Sequence, residues 1–504
     1  TQIKLGNMLL LPDTIKLVPE SLIRQHRIVP IKKEGNKLTV AMVDPLNVVV
    51  LDDLHIATGN IIEPVLATEK EIDSALQKLF GFQDLINQAI REFEVMPSAN
   101  VPTFDLDEVP DDLMEEAPTV RIVNSLIQQA VRERASDIHF DPHAEEVRVR
   151  YRIDGVLKDM MILPRQSLAS IISRIKIMGE MDIAERRVPL DGRIQVKIAR
   201  KNIDLRVSTV PTIFGEKVVI RILDKNAVVL KLDQLGFTPD ILEEYRNLVR
   251  RAYGMILITG PTGSGKTTTL YSTLNEIISP EKNIITIEDP VEYVIDGINQ
   301  IRVNPKAGLT FATGLRAILR QDPDIVMVGE IRDSETAGIA VRSATTGHMV
   351  FSTLHTNDAA GALPRLIDMG VEPFLVASSV IAVVAQRLVR VICPVCKKSY
   401  ELANNTPERR FLGILDGVPV TLYRGTGCHQ CGNTGYRGRV SIQEMLTITQ
   451  EQRRLVLAKA PANQIRQSAL EGGMINITKD GIQKALLGIT TIDEVMRVAT
   501  IEEL

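Results

Sequence analysis

The stretch Gly260-Pro-Thr-Gly-Ser-Gly265-Lys266-Thr267 decides the fold of the longest part of this 504-residue chain. It directly follows the apolar run Met255 to Ile258 and precedes a predicted helix that runs to about Ile278. A buried strand, a glycine-rich loop and a helix N-terminus are the setting of a phosphate-binding P-loop, whereas a chance glycine-rich turn needs neither flanking element. The stretch therefore predicts a nucleotide-binding α/β domain.

Each residue type of this loop has a use in binding phosphates. Glycines let backbone N–H groups close around phosphate oxygens, and the helix N-terminus attracts the same anion. Lys266 is expected to reach the β- and γ-phosphates of ATP, and the Thr267 hydroxyl to bind Mg²⁺. The predicted nucleotide-binding residues are Gly260, Pro261, Thr262, Gly263, Ser264, Gly265, Lys266, Thr267 and Thr268.

Beyond the loop, apolar strands alternate with helices, which is typical of a largely parallel sheet covered on both faces. One strand, Ile325 to Val328, is followed by Gly329 and Glu330. Open α/β sheets place their active sites at the carboxyl ends of such strands. Glu330 is therefore predicted to orient or deprotonate the attacking water, directly or through magnesium. The alternative is a solvated acid after a core strand.

Two further strands lead into polar side chains. The strand Ile284 to Ile287 runs into a cluster of three carboxylates, among them Glu288 and Glu292, which together with Glu330 could hold magnesium and water. Another apolar run leads to His355, whose imidazole could hydrogen-bond the γ-phosphate. A lone histidine is more often a structural one. Glu288, Glu292 and His355 are thus candidate catalytic residues.

All four cysteines fall in two close pairs, Cys393-Pro-Val-Cys396 and Cys428-His-Gln-Cys431. Two such pairs predict a closed tetrahedral Zn²⁺ site without an open position for catalysis. The zinc is expected to be structural, since apparent binding free energies of about 10 to 16 kcal/mol make such a metal part of the folding reaction. The alternatives are reduced pairs without metal, or a redox role.

A second, strand-rich domain is predicted before the P-loop domain. Its first helix carries apolar residues at helical spacing from Val123 to Val131. In the strand that follows, apolar residues alternate with arginines from Val147 to Arg152, and Asp154-Gly155 predicts a hairpin turn.

This domain also offers candidates for the positive group that a P-loop ATPase sets against the charge on the transferred phosphoryl. They are Arg186, Arg187, Arg193 and Arg206. Spacing alone does not choose among them, and most arginines on such a domain face solvent.

The composition of the chain argues against two classes of function, nucleic-acid binding and membrane spanning. The chain has a formal net charge of -4, no tryptophan and 4% aromatic residues, so it lacks the basic field and stacking platforms of a nucleic-acid binder. No apolar stretch approaches the roughly 20 residues of a membrane span, and no signal peptide is evident. The protein is expected to be cytoplasmic and, because it begins without methionine, truncated at its start.

These patterns predict an order of domains along the chain. They are a small N-terminal α/β domain (1–80), an acidic, proline-containing linker (81–118), the second domain (119–226), a hinge (227–240) and the P-loop domain (241–504), with a zinc element at 390–440 and C-terminal helices at 445–504.

Four segments occur in the order of the Walker A, Asp, Walker B and His boxes. They are the P-loop, Thr286 to Glu292, Leu319 to Asp333 and His348 to Asn357. In this order they resemble the secretion ATPase superfamily, which holds the assembly ATPases of type II secretion and of type IV pili. The resemblance extends to Ser136-Asp-Ile-His-Phe140, to Glu185 to Arg193 and to the cysteine pairs, and so covers most of residues 120–445.

The resemblance implies a RecA-like ATPase domain behind a PAS-like second domain, with six subunits in a ring. Arg193 and Arg206 resemble second-domain arginines that approach the nucleotide, and Glu330 resembles the catalytic glutamate. The zinc element resembles that of extension and secretion ATPases rather than the retraction type. Leu190 departs from the glutamine that is common there. The implied partners are an inner-membrane platform protein and an adaptor, so that membrane association is indirect.

The predicted function is a motor that couples ATP hydrolysis to the assembly of pilin or pseudopilin subunits. The client remains open between a type IV pilus, a type II pseudopilus and a DNA-uptake pilus. The first 80 residues resemble the later part of the family's N-terminal domain, without the arginine-containing repeat that would predict cyclic di-GMP binding. The rival hypotheses are a DNA translocase and a nucleotide-gated binding scaffold.

Overall fold

A computed structural model describes residues 14, 17–45, 47–69, 71–72, 118–198, 201–224 and 230–499. The chain divides into two compact units, Thr1–Asp224 and Lys225–Leu504. Nearly all of the predicted acidic linker, 81–118, and the first part of the predicted hinge lie outside the described residues.

The first unit opens with a small three-stranded sheet of order β1-β2-β3, in which β1–β2 is antiparallel and β2–β3 parallel. The alternating run Leu38, Val40 and Met42 points into its core, as its period of two predicts. The elements are α1 Glu20–His26, β1 Val29–Glu34, β2 Lys37–Met42, α2 Val48–Thr58 and β3 Ile61–Leu66.

The same unit continues with a six-stranded antiparallel sheet of order β6-β5-β4-β9-β8-β7. One face packs against two helices. Of the apolar residues predicted for the first helix, Val123, Leu126, Ile127 and Ala130 are buried and Val131 is partly buried, and Val120 and Ile122 before them are buried as well. The elements are α3 Pro118–Arg132, β4 Ala135–Pro142, β5 Glu146–Ile153, β6 Val156–Pro164, α4 Leu168–Met178, β7 Leu190–Ile198, β8 Lys201–Thr212 and β9 Gly215–Asp224.

The predicted hairpin at Asp154-Gly155 is confirmed. Ile153 pairs with Val156 across it, and both turn residues have positive φ, as a two-residue turn of this kind requires. In β5, Val147, Val149 and Tyr151 are buried and the arginines between them point to the opposite face. This sheet therefore has one apolar and one charged face.

The second unit contains a seven-stranded sheet of order β12-β11-β13-β14-β10-β15-β18. Its elements are α5 Pro239–Val249, β10 Gly254–Thr259, α6 Lys266–Ile277, β11 Ile284–Glu288, β12 Asn299–Arg302, α7 Phe311–Ile318, β13 Ile325–Val328, α8 Ser334–Thr345, β14 Met349–Leu354, α9 Ala362–Asp368, α10 Pro373–Ser379, β15 Val380–Ile392, β16 Lys397–Glu401, α11 Pro407–Phe411, β17 Thr421–Gly425, β18 Tyr436–Thr447, α12 Gln450–Leu457, α13 Ala462–Glu471, α14 Ile477–Leu486 and α15 Ile492–Val498.

This sheet is parallel except for β18, which runs antiparallel to β15. Alternate residues of the buried strand β10 enter different cores: Met255 and Leu257 join one cluster, Ile256 and Ile258 the other. Apolar layers thus cover both faces, as the near-continuous apolar strands predict. None of the described helices is long and apolar enough to cross a membrane.

The zinc element is inserted between β15 and β18. Its small sheet, β16–β17, and the helix α11 lie between Ile392 and Tyr436, so the outer residues of the predicted 390–440 element belong to the main sheet. Likewise the predicted C-terminal helices begin at Gln450 rather than at 445, because the chain remains a strand paired with β15 up to Thr447.

Candidate functional site

The P-loop lies where its flanking elements predict, between the buried strand β10 and helix α6. Gly263 has a φ of +79°, a left-handed conformation in which a side chain would be strained although nothing lies within 4 Å of its missing Cβ. Helix α6 begins at Lys266, so its unpaired N–H groups and positive dipole end face the loop. This geometry suits an anion.

Lys266 and Glu330 belong to the same site. The Lys266 Nζ donates to the carbonyl oxygens of Gly260 at 2.8 Å and Pro261 at 3.1 Å. Burial lowers the pKa of Lys266, and the negative charge of Glu330 opposes that shift. The predicted cation and the predicted carboxylate are therefore within electrostatic reach of one another.

Glu330 follows β13, and His355 follows the adjacent strand β14. The Glu330 carboxylate is 2.6 Å from Nη2 of Arg332 and 3.4 Å from Nε2 of His355, with 15% of its side chain exposed. His355 is half-exposed. The fold thus brings together two of the predicted catalytic residues, at the carboxyl edge of a parallel sheet.

Glu288 ends β11 in different surroundings. The residue is 3% exposed, and its carboxylate accepts hydrogen bonds from the Tyr271 hydroxyl, from Thr286 Oγ1 at 2.6 Å and from Gln300 Nε2 at 3.2 Å. Burial raises the pKa of Glu288, and these donors reduce the shift. Both carboxylate oxygens are engaged by protein groups.

Tyr271 is a residue that sequence reasoning missed. Its hydroxyl donates to Glu288 and accepts from the backbone N–H of Glu292 at 3.2 Å, and its ring lies edge-on to Tyr293 with centroids 4.5 Å apart. It therefore connects two of the predicted acids. The available signal was a tyrosine on the buried face of a helix, since a buried hydroxyl requires a partner.

Glu444 on β18 is a second missed residue. It is 1% exposed, and its carboxylate accepts from the N–H of Ala359 at 2.8 Å and from the N–H of Ile477 at 3.3 Å. Burial raises the pKa of Glu444, against the effect of both donors. The carboxylate ties the loop that begins at His355 to the start of α14.

Arg193 and Arg206 face each other on β7 and β8 of the first unit. Arg206 also pairs with Arg221 on β9, so three arginines form a row on the charged face of that sheet. Nε of Arg193 donates to Asp204 at 2.7 Å. The structure therefore places the two arginines side by side on one face.

The other two arginine candidates lie before β7. Arg187 forms an ion pair with Glu185 at 2.8 Å, and Arg186 lines a cavity beside α4 in the same unit.

The four cysteines converge. The sulfur of Cys428 lies 3.7 Å from those of Cys393 and Cys431, and the sulfurs of Cys396 and Cys431 are 3.9 Å apart. A tetrahedral zinc with Zn–S bonds of 2.3 Å requires S···S separations of about 3.8 Å. Burial alone would raise the pKa of Cys431, but backbone N–H groups, including that of Cys428, lower it to about 6. The site fits the predicted zinc.

The parallel sheet, the P-loop after β10 and the acid after β13 define a P-loop protein of RecA-like fold. Among solved structures, the ATPase DotB of Yersinia pseudotuberculosis is similar to this chain with a TM-score of 0.57. The match covers 80% of this chain and 96% of that chain at 20% sequence identity, so it bears on the fold alone.

The family follows from sequence. The family model described as Type II/IV secretion system protein matches residues 112–497, and the MshEN domain matches residues 2–85. The Type II secretion system ATPase E of Vibrio cholerae is 42% identical over 493 residues, which cover 96% of this chain and 97% of that relative. The Type IV pilus assembly ATPase PilB of Thermus thermophilus is 45% identical over 491 residues, 96% of this chain but only 54% of that relative. The chain belongs to the Type II/IV secretion system protein family, and it is an ATPase.

Proposed function

We propose that the chain is a subunit of a hexameric motor that couples ATP hydrolysis to the assembly of pilin or pseudopilin subunits. The observation that carries the proposal is the contact of Glu330 with His355 at the carboxyl edge of one parallel sheet, where burial lowers the pKa of the P-loop Lys266 and the charge of Glu330 opposes that shift. The names of the relatives, a pilus assembly ATPase and a type II secretion ATPase, support the coupling. In this proposal the motor is cytoplasmic and peripheral to an inner membrane. Its partners there are a platform protein and an adaptor.

The loop residues 260–268 hold the nucleotide in this proposal. The backbone N–H groups and the start of α6 bind the phosphates, and Lys266 offsets their charge. In this proposal the exposed Thr267 hydroxyl and Glu330 hold Mg²⁺, which would supply Lewis-acid polarisation of the phosphates when bound. Glu330 orients the attacking water or takes its proton, and His355 donates a hydrogen bond beside it.

Glu288 and Glu292 have a positioning role in this proposal, since Tyr271 ties the segment that carries them to α6. Arg193 and Arg206 supply positive charge against the transferred phosphoryl. A finger arginine is worth about 10³- to 10⁵-fold in rate. Replacing each by Gln, with Arg221→Gln as a control from the same row, tests whether turnover depends on these two positions in particular.

The finer domain scheme is part of the proposal. A PAS-like domain at 119–226 turns against the P-loop domain at 241–504 about residues 227–240, behind the N-terminal domain at 1–80 and the linker at 81–118. Cysteine crosslinks between the two larger domains are expected to stop turnover until they are reduced. Crosslinked protein that still hydrolyses ATP at the normal rate would contradict the hinge.

Zinc has a structural role in this proposal. The four cysteines are expected to bind a single Zn²⁺ per chain, and Cys428→Ser to lower the zinc content and the melting temperature. The control is Ser399→Ala, at an exposed serine. Ser441→Ala would not serve as a control, because Ser441 is buried. Full zinc content and unchanged melting in Cys428→Ser would contradict the assignment.

The test of the whole proposal is ATP turnover by the zinc-loaded chain, with and without DNA, and its oligomeric state with ATP. DNA-independent turnover by a hexamer is the expected result. Turnover that requires DNA would favour a translocase instead, and ATP binding without turnover would favour a nucleotide-gated scaffold.

A further inference from the structure

A buried glutamine lies beside the P-loop on the neighbouring strand. Strand β15 runs parallel to β10, with Thr259 paired to Ala385, so the next residue, Gln386, lies level with the start of the loop at Gly260. Gln386 is 1% exposed, in a strand whose other residues up to that point are buried and mostly apolar. A polar side chain here requires partners.

Both functional groups of the Gln386 amide contact the loop and the helix that follows it. Nε2 donates to the Ser264 carbonyl at 2.8 Å, and Oε1 accepts from Thr269 Oγ1 at 2.9 Å. A carbonyl can only accept, which sets the orientation of the amide. Ser264 and Thr269 are themselves buried. One side chain therefore spans the P-loop and the first turn of α6.

Two glycines of the loop make room for strand β15 at Gln386. A Cβ on Gly260 would lie 2.5 Å from the backbone carbonyl oxygen of Gln386, and a Cβ on Gly265 would lie 3.1 Å from its side-chain Nε2. Both glycines also have positive φ, +139° and +90°. The loop is thus folded closely against β15: Gly260 approaches the main chain at Gln386, and Gly265 approaches its amide.

We propose that Gln386 is a positioning residue for ATP binding, which holds the P-loop at the width that the phosphates require. Without its amide, the buried Ser264 carbonyl loses its partner, and the loop is no longer tied to the first turn of α6. The proposal rests on the assignment of residues 260–268 to the phosphates.

The chain supplies a matched control. Gln443 on β18 is the register partner of Gln386 and is also 1% exposed. Its Oε1 accepts from Ser441 Oγ at 3.3 Å, in the same strand. Gln→Met at either position keeps the length of the side chain and removes a buried amide from the same core. Gln386→Met loses two hydrogen bonds, and Gln443→Met loses one, because the Gln443 Nε2 has no partner among the described residues.

The experiment measures the Kd for ATP, kcat and the melting temperature of the zinc-loaded chain. Gln386→Met is expected to raise the Kd by about 5- to 100-fold, the range that an unpaired buried carbonyl implies, with a smaller change in kcat. Gln386→Glu places an oxygen against the Ser264 carbonyl and is expected to bind ATP more weakly than the Met variant does. Gln443→Met is expected to leave the Kd unchanged and, because it removes a buried N–H donor that has no partner among the described residues, to melt no lower than Gln386→Met does.

An unchanged Kd in Gln386→Met, or an equal rise in Gln443→Met, would overturn the proposal. If Gln386→Met does not fold, Thr269→Val removes one of the two contacts and is judged by the same Kd. Lys266→Ala separates the two levels of the argument. Normal ATP binding in Lys266→Ala refutes the assignment of the loop, whereas lost binding there with a normal Kd in Gln386→Met refutes only the role of Gln386.

Discussion

Two neighbouring strands of one sheet lead to a glutamate each, and the two glutamates lie in opposite surroundings. Glu288, which ends β11, is 3% exposed and accepts hydrogen bonds from three side chains. Glu330, which follows β13, meets Arg332 and the half-exposed His355. A strand end delivers a carboxylate to the edge of the sheet, and its neighbours decide whether it serves the fold or the chemistry.

Of the two glutamates, Glu330 is expected to show the larger effect on turnover. Glu330→Gln removes the group that we propose orients or deprotonates water, and general-base catalysis contributes about 10²- to 10⁴-fold. We expect turnover to fall by that factor while the Kd for ATP stays near its normal value, as measured by phosphate release and nucleotide titration. Glu281→Gln, at an exposed acid before β11, is the control. Normal turnover in Glu330→Gln would remove the contrast between the two glutamates.

The buried side should respond in stability first. Tyr271→Phe deprives Glu288 of a donor and the Glu292 N–H of its acceptor. An unsatisfied buried polar group costs about 1 to 3 kcal/mol, so the free energy of unfolding should fall by that amount in denaturant titrations. Tyr293→Phe, which keeps the edge-on ring contact, serves as the comparison. If the activation barrier for turnover rises by more kcal/mol than the free energy of unfolding falls, Glu288 takes part in catalysis.

The different surroundings of Glu288 and Glu330 were not predictable from the sequence, although the positions of both residues at strand ends were. The strand at Ile325 to Val328 has the bounds that its apolar run predicts, because a strand buried on both faces is apolar throughout. One donor to Glu288, Thr286, lies two residues earlier on β11 itself, but the other two come from α6 and from β12, which lies at the edge of the sheet next to β11. The approach of the donors from α6 and β12 depends on the order of strands in the sheet, which cannot be inferred from local sequence spacing.

The hydrogen bonds of Glu444 were likewise not predictable from local sequence spacing. Glu444 lies far along the chain from Ala359, the residue whose N–H it accepts, and only the antiparallel pairing of β18 brings them together. The cysteine pairs were predictable because their spacing is itself the chemical signal. Likewise the P-loop was predictable from its glycines and from the strand and helix that flank it.

A pH series sharpens the comparison further. Burial raises the pKa of Glu288 above its ordinary value of 4.5. The folded chain therefore holds this proton more tightly than the unfolded chain, and the resulting stability is present below pH 4.5 and lost as the pH rises through the raised pKa. Relative to Glu288→Gln, the wild type should lose free energy of unfolding with increasing pH above 4.5. A difference that does not change with pH would contradict the buried setting.

The smallest effect is expected at His355. Its contact with Glu330 joins a half-exposed ring to a carboxylate, and such pairs contribute about 0 to 1 kcal/mol to stability. His355→Gln should therefore melt close to the wild type, with a loss of turnover smaller than that of Glu330→Gln. Strong destabilisation would show that this side of the comparison also serves the fold.

We propose that Glu330 serves the chemistry and Glu288 the fold. The most direct test is the turnover of Glu288→Gln and Glu330→Gln at saturating ATP, each corrected for its folded fraction. We expect Glu288→Gln to stay within about tenfold of the wild type, a change of about 1.4 kcal/mol in the barrier, and Glu330→Gln to fall well below that. Equal losses in the two variants would contradict it.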